Sequence, residues 1–268
     1  MKTYHDPLMN IRWILESQVL PDLHQKLQKA AEDRGHAVSI WNDDWPYRWP
    51  NFADQFVIFH GSLGVAHDIA QSSPWTPGAF CNLERFTCSN YYSLVASHLI
   101  HQSWQTTTVQ KFVARPDDFF KDASELFVRP DSPLKPFSGR VISRENVSLR
   151  ALDHGFYYDE LDLPIILTPT RQVGQEWRFV VHDQQVITGS GYVADGRSGT
   201  VELTSGAAWE MAQAIAETLE PPDPLYVLDI AESDGRLWLM ELNPFSGADL
   251  YACNVEIIVN TIEHVTSE

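Results

Sequence analysis

The sequence has few cysteines, and none at a spacing typical of a structural site. There are three in 268 residues, Cys81, Cys88 and Cys253. The count is odd and low, and no histidine or cysteine lies at ligand spacing, so we expect neither a disulfide framework nor a zinc site. We therefore expect three reduced, mostly buried thiols in a cytoplasmic protein.

Long apolar runs are also missing, and positive charge is scarce. No apolar segment reaches the roughly 20 residues that span a bilayer, and the first ten residues, MKTYHDPLMN, contain no apolar signal core. Lysine and arginine together number 19 against 36 aspartates and glutamates, so the net charge is −17. Since no apolar run is long enough, we expect no membrane anchor. Because an acidic surface repels phosphate backbones, we also expect no nucleic-acid partner.

What the sequence does contain is enough apolar residues for a packed core, 44% of the chain. Near the start, Ile11 to Leu15 predicts a strand, Leu23 to Ala31 predicts a helix that Gly35 ends, and Ala37 to Trp41 predicts a second strand. A β-α-β unit of this kind normally makes a parallel pair. We place a domain boundary near Trp104, which predicts an N-terminal α/β domain over residues 1–104 and a second domain over residues 105–268.

The boundary lies between two predicted elements. Tyr91 to Gln102 favours a helix, and Gln105 to Ala114 favours a strand. Further upstream, the apolar strand Gln55 to His60 runs into Gly61-Ser62-Leu63-Gly64 and then a short helix. Free backbone amides at such a turn bind anions in many proteins. Two interpretations stay open here: a plain tight turn, or a site for a substrate carboxylate or phosphate.

Two apolar runs near the C-terminus predict a β-hairpin. They are Leu225 to Ile230 and Leu237 to Leu242, with the turn signal Ser233-Asp234-Gly235 between them. The pairing that keeps one face apolar sets Leu228 opposite Leu242 and Ile230 opposite Met240. It implies a three-residue loop from Asp234 to Arg236, and it puts Leu239 on the opposite, acidic face.

That acidic face carries the candidate metal ligands. In the predicted register Asp229 faces Glu241 directly, and Asn243 follows on the same side. Two carboxylates opposite each other repel, and a divalent cation removes the repulsion. Oxygen-only ligands suit Mg²⁺ or Mn²⁺. The alternatives from these residues alone are an ordinary exposed hairpin face, or a metal-free glycosidase that uses Asp229 and Glu241 as acid and base.

The segment Glu241-Leu-Asn-Pro-Phe-Ser-Gly-Ala-Asp-Leu-Tyr251, preceded by Asp229-Ile230, resembles the metal-binding end of the ATP-grasp superfamily. Upstream, the predicted strand Leu126 to Asp131 ends in Arg129-Pro130, where most members have a phosphate-binding lysine. The likeness is to the clade in which arginine replaces that lysine. It implies an α/β (α+β) protein, with an ATP-grasp fold of two small lobes preceded by a small α/β domain.

The resemblance also implies roles for particular side chains. Arg129 and Lys135 would bind ATP phosphates, and Glu176 would accept hydrogen bonds from the ribose. Arg178 would meet phosphate or an acyl-phosphate intermediate, so Arg129 and Arg178 are the candidate catalytic residues. The backbone of a hinge would bind adenine, and oxygen side chains would hold Mg²⁺ or Mn²⁺ with ATP. The hinge residues are Thr168, Pro169 and Thr170, and the metal ligands are Asp229, Glu241 and Asn243.

The implied activity is ATP- and Mg²⁺-dependent ligation of a carboxylate to an amine through an acyl phosphate, making an amide or peptide-type bond. The partners would be ATP and small-molecule or peptide carboxylate and amine substrates. Two alternatives keep the fold: a kinase with a hydroxyl acceptor, and a degenerate module that binds nucleotide without turnover. The absence of lysine between Asn90 and Gln102 favours the latter mildly. The role of Lys111, the role of the N-terminal domain, the substrates and the oligomeric state stay open.

Overall fold

The structure is a computed structural model that describes residues 10–52, 54–192 and 199–265. This part of the chain forms three β-sheets with helices packed on them. The mixed α/β fold class is thereby confirmed. None of the helices in these ranges is both long and apolar enough to cross a membrane.

The first sheet, the N-terminal sheet, consists of four parallel strands in the order β2-β1-β3-β4. The predicted β-α-β unit is confirmed, and Gly35, with φ of +80°, follows its helix. Apolar residues of α1 pack on this sheet because they recur at helical spacing. The strands are β1 Ile11–Leu15, β2 Ala37–Ile40, β3 Phe56–His60 and β4 Thr76–Gly78, and the helices are α1 Pro21–Asp33 and α2 Leu63–Ser72.

Residues 83–104 do not form the long helix that the sequence pattern favours between Tyr91 and Gln102. Two four-residue helices, α3 Leu83–Phe86 and α4 Cys88–Tyr91, are followed by turns. The backbone amide of Ile100 donates to the carbonyl of Leu239, and the amide of Leu239 donates to the carbonyl of His98. Because these groups bond to a distant strand, they are not available to a helix.

The middle sheet has the order β5-β8-β6-β7, with antiparallel neighbours. The predicted strand from Gln105 to Ala114 is half wrong, because the side chain of Thr108 accepts a hydrogen bond from the amide of Lys111 and starts a helix there. The elements are β5 Gln105–Thr108, α5 Val109–Ala114, α6 Asp117–Phe120, β6 Glu125–Pro130, β7 Arg140–Ser143 and β8 Pro164–Pro169.

The C-terminal sheet has the order β11-β10-β9-β12-β13, again antiparallel. The sequence pattern favours a strand from Gln185 to Val193; the strand is present up to Tyr192, and Val193 lies outside the described residues. The elements are β9 Glu176–His182, β10 Gln185–Tyr192, β11 Val201–Leu203, α7 Ala207–Thr218, β12 Leu225–Ser233, β13 Arg236–Pro244 and the closing helix α8 Val255–Val265.

The hairpin of β12 and β13 has the predicted register at its open end only. Leu228 pairs with Leu242 and Asp229 with Glu241, but Ile230 then pairs with Leu239 rather than Met240. The turn has two residues, Asp234 and Gly235, both with positive φ. A β-bulge at Met240 absorbs the difference. Since the bulge reverses the alternation, Leu239 lies buried in the apolar core and not on the acidic face.

Two apolar cores cover the faces of the C-terminal sheet. One lies beneath α7 and includes residues from α3, α4 and the turns that follow them. The other joins the sheet to α1, α8 and the N-terminal sheet, through residues such as Val227, Leu225 and Phe245. The C-terminal helix α8 therefore packs on the first helix of the chain. A domain boundary at residue 104 stays a prediction.

Candidate active site

A cavity of about 620 Å³ lies over one face of the C-terminal sheet. Its floor is polar and comes from β9, β10, β12 and β13, while one wall comes from the N-terminal part of the chain. The lining residues that the chemistry below uses are Lys135, Glu176, Arg178, Tyr192, Asp229, Met240, Glu241, Asn243, Asp249 and Tyr251, with Val19, Leu20, Gly61, Ser62 and Leu63 on the wall.

Arg178 and Asp229 form a buried ion pair on this floor. They are cross-strand partners in β9 and β12. Nε of Arg178 donates to Oδ1 of Asp229 at 2.8 Å, and its Nη2 donates to Oδ2 at 2.7 Å. This two-pronged geometry is the strong form of a carboxylate pair. The remaining Nη1 group donates to the backbone carbonyl of Asp249 at 2.6 Å, so the pair also fixes the loop after β13.

Two cationic side chains from the middle sheet and its loop form ion pairs with Glu241. Nη2 of Arg129 donates to Oε2 of Glu241 at 2.8 Å, and Nζ of Lys135 donates to Oε1 at 2.8 Å. Burial alone would raise the pKa of Glu241, but the Lys135 and Arg129 cations outweigh it and lower that pKa. The carboxylate is therefore charged over the whole physiological range.

Asn243 connects these groups into one network. Its amide nitrogen donates to Oδ2 of Asp229 at 3.0 Å and to Oε1 of Glu241 at 3.2 Å, and its Oδ1 accepts from Nζ of Lys135 at 2.9 Å. We call Asp229, Glu241 and Asn243 the oxygen cluster, and Arg129, Lys135 and Arg178 the three site cations. Six residues singled out in the sequence are thus brought together by the fold.

Glu176 shares the cavity but not this network. Its Oε2 accepts a hydrogen bond from the hydroxyl of Tyr192 at 2.6 Å. Burial raises the pKa of Glu176, and the hydrogen bond from Tyr192 lowers it in part. Arg178 lies over the ring of Tyr251, 4.9 Å from its centroid. Because side chains alternate along a strand, Glu176 and Arg178 lie on the same face of β9.

The residues predicted to form the adenine-binding hinge do not line this cavity. Thr168 is buried, and its hydroxyl is 3.1 Å from Nδ1 of His101. Pro169 and Thr170 are exposed, and none of the three lines the cavity. Residues 168–170 do stand where β8 leaves the middle sheet for β9, so they have the position of a hinge between two sheets. Their contact with adenine stays a prediction.

The comparisons with known proteins identify the family. The model of the ATP-grasp domain, R2K clade family 2, matches residues 101–260, which is more than half of the chain. The chain belongs to this ATP-grasp family. Among curated proteins, none matches the sequence significantly. The family resemblance carried by Asp229 and by the Glu241 to Tyr251 segment is thereby confirmed.

Solved structures share the whole ATP-grasp fold with this chain at low identity. D-cycloserine synthetase DcsG is 12% identical, with 95% of this chain and 99% of that one covered and a TM-score of 0.64. The ATP-grasp ligase PsnB, complexed with precursor peptide PsnA2 and AMPPNP, is 12% identical over 100% of both chains with a TM-score of 0.59. D-alanine–D-alanine ligase from Bacillus anthracis complexed with ATP is 13% identical over 97% and 100%, with a TM-score of 0.60.

The cavity contains residues that the sequence pattern did not single out. Tyr192 is an ordinary strand residue with no local signal, and Met240 enters the cavity only because of the bulge. Asp249 and Tyr251 lie within the family segment but have no assigned role. Their place in the cavity depends on contacts between distant parts of the chain, which a local pattern does not contain.

The glycine turn of the N-terminal sheet borders the same cavity. The backbone amide of Ser62 donates to Oε2 of Glu16 at 2.6 Å, and the Ser62 side chain caps α2. The amide of Gly61 donates to the carbonyl of Ser246. The turn therefore already binds a carboxylate of the chain itself, so the tight-turn interpretation accounts for these amides.

The oxygen cluster fits a divalent cation. Its donors are all carboxylate or amide oxygens, which suit Mg²⁺ or Mn²⁺, and an ammonium group already lies between Glu241 and Asn243 as a stand-in cation. Within the described ranges, no group of three or more His, Cys, Asp or Glu side chains could hold a metal ion. A metal here would therefore depend on Asn243 and on oxygens of bound phosphates to complete its coordination.

Proposed function

We propose that this ATP-grasp protein is an ATP- and Mg²⁺-dependent carboxylate–amine ligase that forms an amide or peptide-type bond through an acyl phosphate. One observation carries the proposal: hydrogen bonds join the oxygen cluster and the three site cations into one network, and all of these residues except Arg129 line a single cavity. Phosphoryl transfer needs positioning and charge neutralisation more than covalent help from the protein. This arrangement supplies both.

The three site cations act on the transferring phosphate. Arg129 and Arg178 are buried guanidinium groups, held in place by Glu241 and Asp229, so little reorganisation is needed when a phosphate approaches. Lys135 comes from the loop between β6 and β7 and is half-exposed. Oxygens of the γ-phosphate would accept hydrogen bonds from these groups as the substrate carboxylate attacks the phosphorus and ADP leaves.

Asp229, Glu241 and Asn243 are the residues that would hold a divalent cation, which would supply Lewis acidity toward the phosphates when bound. Glu176, at the edge of the same floor, would accept hydrogen bonds from the ribose hydroxyls. The backbone of residues 168–170 would bind adenine.

We assign the second substrate to the apolar part of the cavity lining, which comes from Val19, Leu20 and Leu63, with Leu63 packed against Gly247 of the loop after β13. An amine bound there would displace phosphate from the acyl phosphate, forming the C–N bond. The similar structures are a synthetase and two ligases, one of them complexed with a precursor peptide, and they favour a small-molecule or peptide substrate pair.

Thermal unfolding with Mg²⁺ alone, ATP alone and both together tests the nucleotide site. A ligand at a hundredfold excess over its dissociation constant stabilises the folded state by about 2.7 kcal/mol. We expect a shift in Tm that needs both components and is lost in Glu241→Gln. Asp234→Asn, which removes a carboxylate from the turn of the same hairpin, is the matched control. Comparing shifts within each variant cancels its own change in stability.

Hydroxylamine trapping tests the reaction itself. The protein is incubated with ATP, Mg²⁺, hydroxylamine and each of the twenty amino acids or a set of short peptides. Hydroxamate formed together with ADP demonstrates an acyl phosphate. Formation of ADP with a phosphate ester and no hydroxamate would instead favour the kinase alternative, and ATP binding with no ADP would favour the module without turnover.

A further inference from the structure

Lys135 holds its ammonium group between two oxygens of the oxygen cluster. Its Nζ atom is 2.8 Å from Oε1 of Glu241 and 2.9 Å from Oδ1 of Asn243. Magnesium binds its oxygen ligands at about 2.1 Å. An ion bound by these same two oxygens would therefore take the place of the ammonium group, and the two cations exclude each other.

The charge balance of the site points the same way. Two carboxylates, those of Asp229 and Glu241, face the three site cations. These five groups alone sum to a charge of +1 without a metal, while Glu176 and Asp249 also line the cavity but form no ion pair with the site cations. Adding a divalent cation alone would place two further positive charges beside the guanidinium groups, where the repulsion is strong because the site is buried. Nucleotide phosphates bring the negative charge that offsets it.

Lys135 is the cation that can leave at least cost. The side chains of Arg129 and Arg178 are only 8% and 9% exposed, while that of Lys135 is 36% exposed. Both arginines are buried beside their carboxylates, and removing either would leave a buried charge uncompensated. A lysine is a point charge on a flexible stem and can turn towards another anion.

The loop that carries Lys135 keeps the ammonium group close to the site after it has moved. Both carboxylate oxygens of Asp131 accept hydrogen bonds from Ser89 at 2.7 Å, and Phe137 is buried in the core of the middle sheet. Only five residues lie between these two anchors. The side chain of Lys135 therefore swings on a fixed backbone, and phosphates bound in the cavity stay within its reach.

We propose that Lys135 is a tethered cation that occupies the metal position until nucleotide phosphates arrive. Metal and nucleotide then bind together, and Lys135 exchanges Glu241 and Asn243 for phosphate oxygens. The inference rests on the proposed function, because it takes the oxygen cluster to be the metal site. It adds that the metal-free protein protects this site against divalent cations with its own side chain.

Binding of Mn²⁺ alone is the test, with free Mn²⁺ measured by electron paramagnetic resonance. Lys135→Met keeps the apolar stem and removes the charge. We expect this variant to bind Mn²⁺ without nucleotide more tightly than the wild-type protein, by a factor in the range of about 5 to 150 that is typical of coupled sites. Addition of ADP should tighten Mn²⁺ binding strongly in the wild-type protein and much less in Lys135→Met.

Two further variants separate the possible failures. Lys26→Met removes an exposed lysine of α1 and should leave Mn²⁺ binding unchanged, which excludes an effect of net charge. Glu241→Gln should abolish the binding seen with ADP. Equal Mn²⁺ affinities of Lys135→Met and wild type without nucleotide would overturn the Lys135 inference and leave the metal site standing. If Glu241→Gln bound Mn²⁺ with ADP as tightly as the wild-type protein, the metal site itself would be overturned, and the inference with it.

Discussion

At the scale of single residues, the Arg178–Asp229 pair decides how the site can be tested. The side chains are 9% and 3% exposed. Removal of one member of a buried pair typically costs 3–5 kcal/mol, whereas replacement of both by apolar residues is often neutral. Loss of function in a single variant would therefore be mixed with loss of stability.

We expect Arg178→Met to lower the free energy of unfolding by about 3 kcal/mol or more, because it leaves Asp229 buried and unpaired. The double variant Arg178→Met/Asp229→Leu should regain most of that stability and still show no nucleotide-dependent shift in Tm. Urea unfolding measures the first quantity. Arg150→Met, at an exposed arginine, is the control. If the double variant were as unstable as the single one, the pair would not be the source of the loss.

Glu176 offers a residue-scale prediction about pH. Burial raises the pKa of Glu176, and the hydrogen bond from Tyr192 lowers it in part. Tyr192→Phe removes this hydrogen bond, so the pKa of Glu176 should rise further. If the charged carboxylate binds ribose, the affinity for ADP should then decline at a higher pH in the variant.

Calorimetric titration with ADP and Mg²⁺ between pH 5 and 8 measures that decline. Tyr157→Phe, which changes a tyrosine that is 71% exposed, should follow the wild-type curve. Superimposable curves for Tyr192→Phe and wild type would remove Glu176 from the nucleotide site, while a stability measurement at each pH shows that both proteins stay folded.

At the scale of the element, the turn of the β12–β13 hairpin sets the register and thereby the bulge. Gly235 has φ of +70°, and nothing lies within 4 Å of the position of an added Cβ. Gly235→Ala should cost about 1 kcal/mol from backbone strain alone. In contrast, Gly64→Ala at an equally open position in α2 should be neutral or stabilise by roughly 0.5 kcal/mol. Urea unfolding of the two variants checks this difference, and equal stabilities would contradict the strain.

Part of this hairpin could be predicted from the sequence because its signals are local. The apolar alternation and the Asp-Gly dipeptide predict the two strands, and the structure confirms the predicted pairing of Asp229 with Glu241. The alternation favoured a three-residue loop, because without a bulge a two-residue loop would set Leu228 opposite Glu241. It contained no signal for the bulge at Met240, which restores the pairing of Leu228 with Leu242 and buries Leu239.

The helix predicted from Tyr91 to Gln102 is wrong for a different reason. Local propensity favours it, but the amide of Ile100 finds its partner in β13, more than a hundred residues away in sequence. Likewise, the three site cations come from separate segments, and only the family resemblance pointed to Arg129 and Lys135. Propensity and periodicity contain no information on such distant contacts, whereas a family motif does.

At the scale of the whole molecule, the loop after β13 connects the site to the N-terminal sheet. The hydroxyl of Ser246 accepts a hydrogen bond from the amide of Phe80, and its carbonyl accepts one from the amide of Gly61. Gly247 packs so closely that an added Cβ would lie 2.2 Å from Cδ2 of Leu63. Beneath this contact, Nε2 of His24 is 2.9 Å from Nδ1 of His60, whose ring packs against Phe245. The two buried histidines thus lie where three parts of the chain meet.

These two histidines make the stability of the fold sensitive to acid. Burial, reinforced by His24, lowers the pKa of His60 to about 3, and burial also lowers the pKa of His24, against the charge of Asp249. In the unfolded chain both titrate near pH 6.5. Between those pH values the unfolded state binds more protons, so stability falls as the pH drops below about 6.5.

We expect the wild-type protein to lose roughly 2 kcal/mol of unfolding free energy through His60 between pH 6.5 and 5. His60→Gln should be less stable at pH 7.5 but should show a smaller loss on acidification. Burial raises the pKa of Asp223 to about 7, which stabilises the fold at low pH and works in the opposite sense. The quantity to compare is therefore the difference between variants in urea unfolding at each pH. His264→Gln, at an exposed histidine, should parallel the wild type. If His60→Gln paralleled it too, the junction of the three parts would not be the acid-sensitive point.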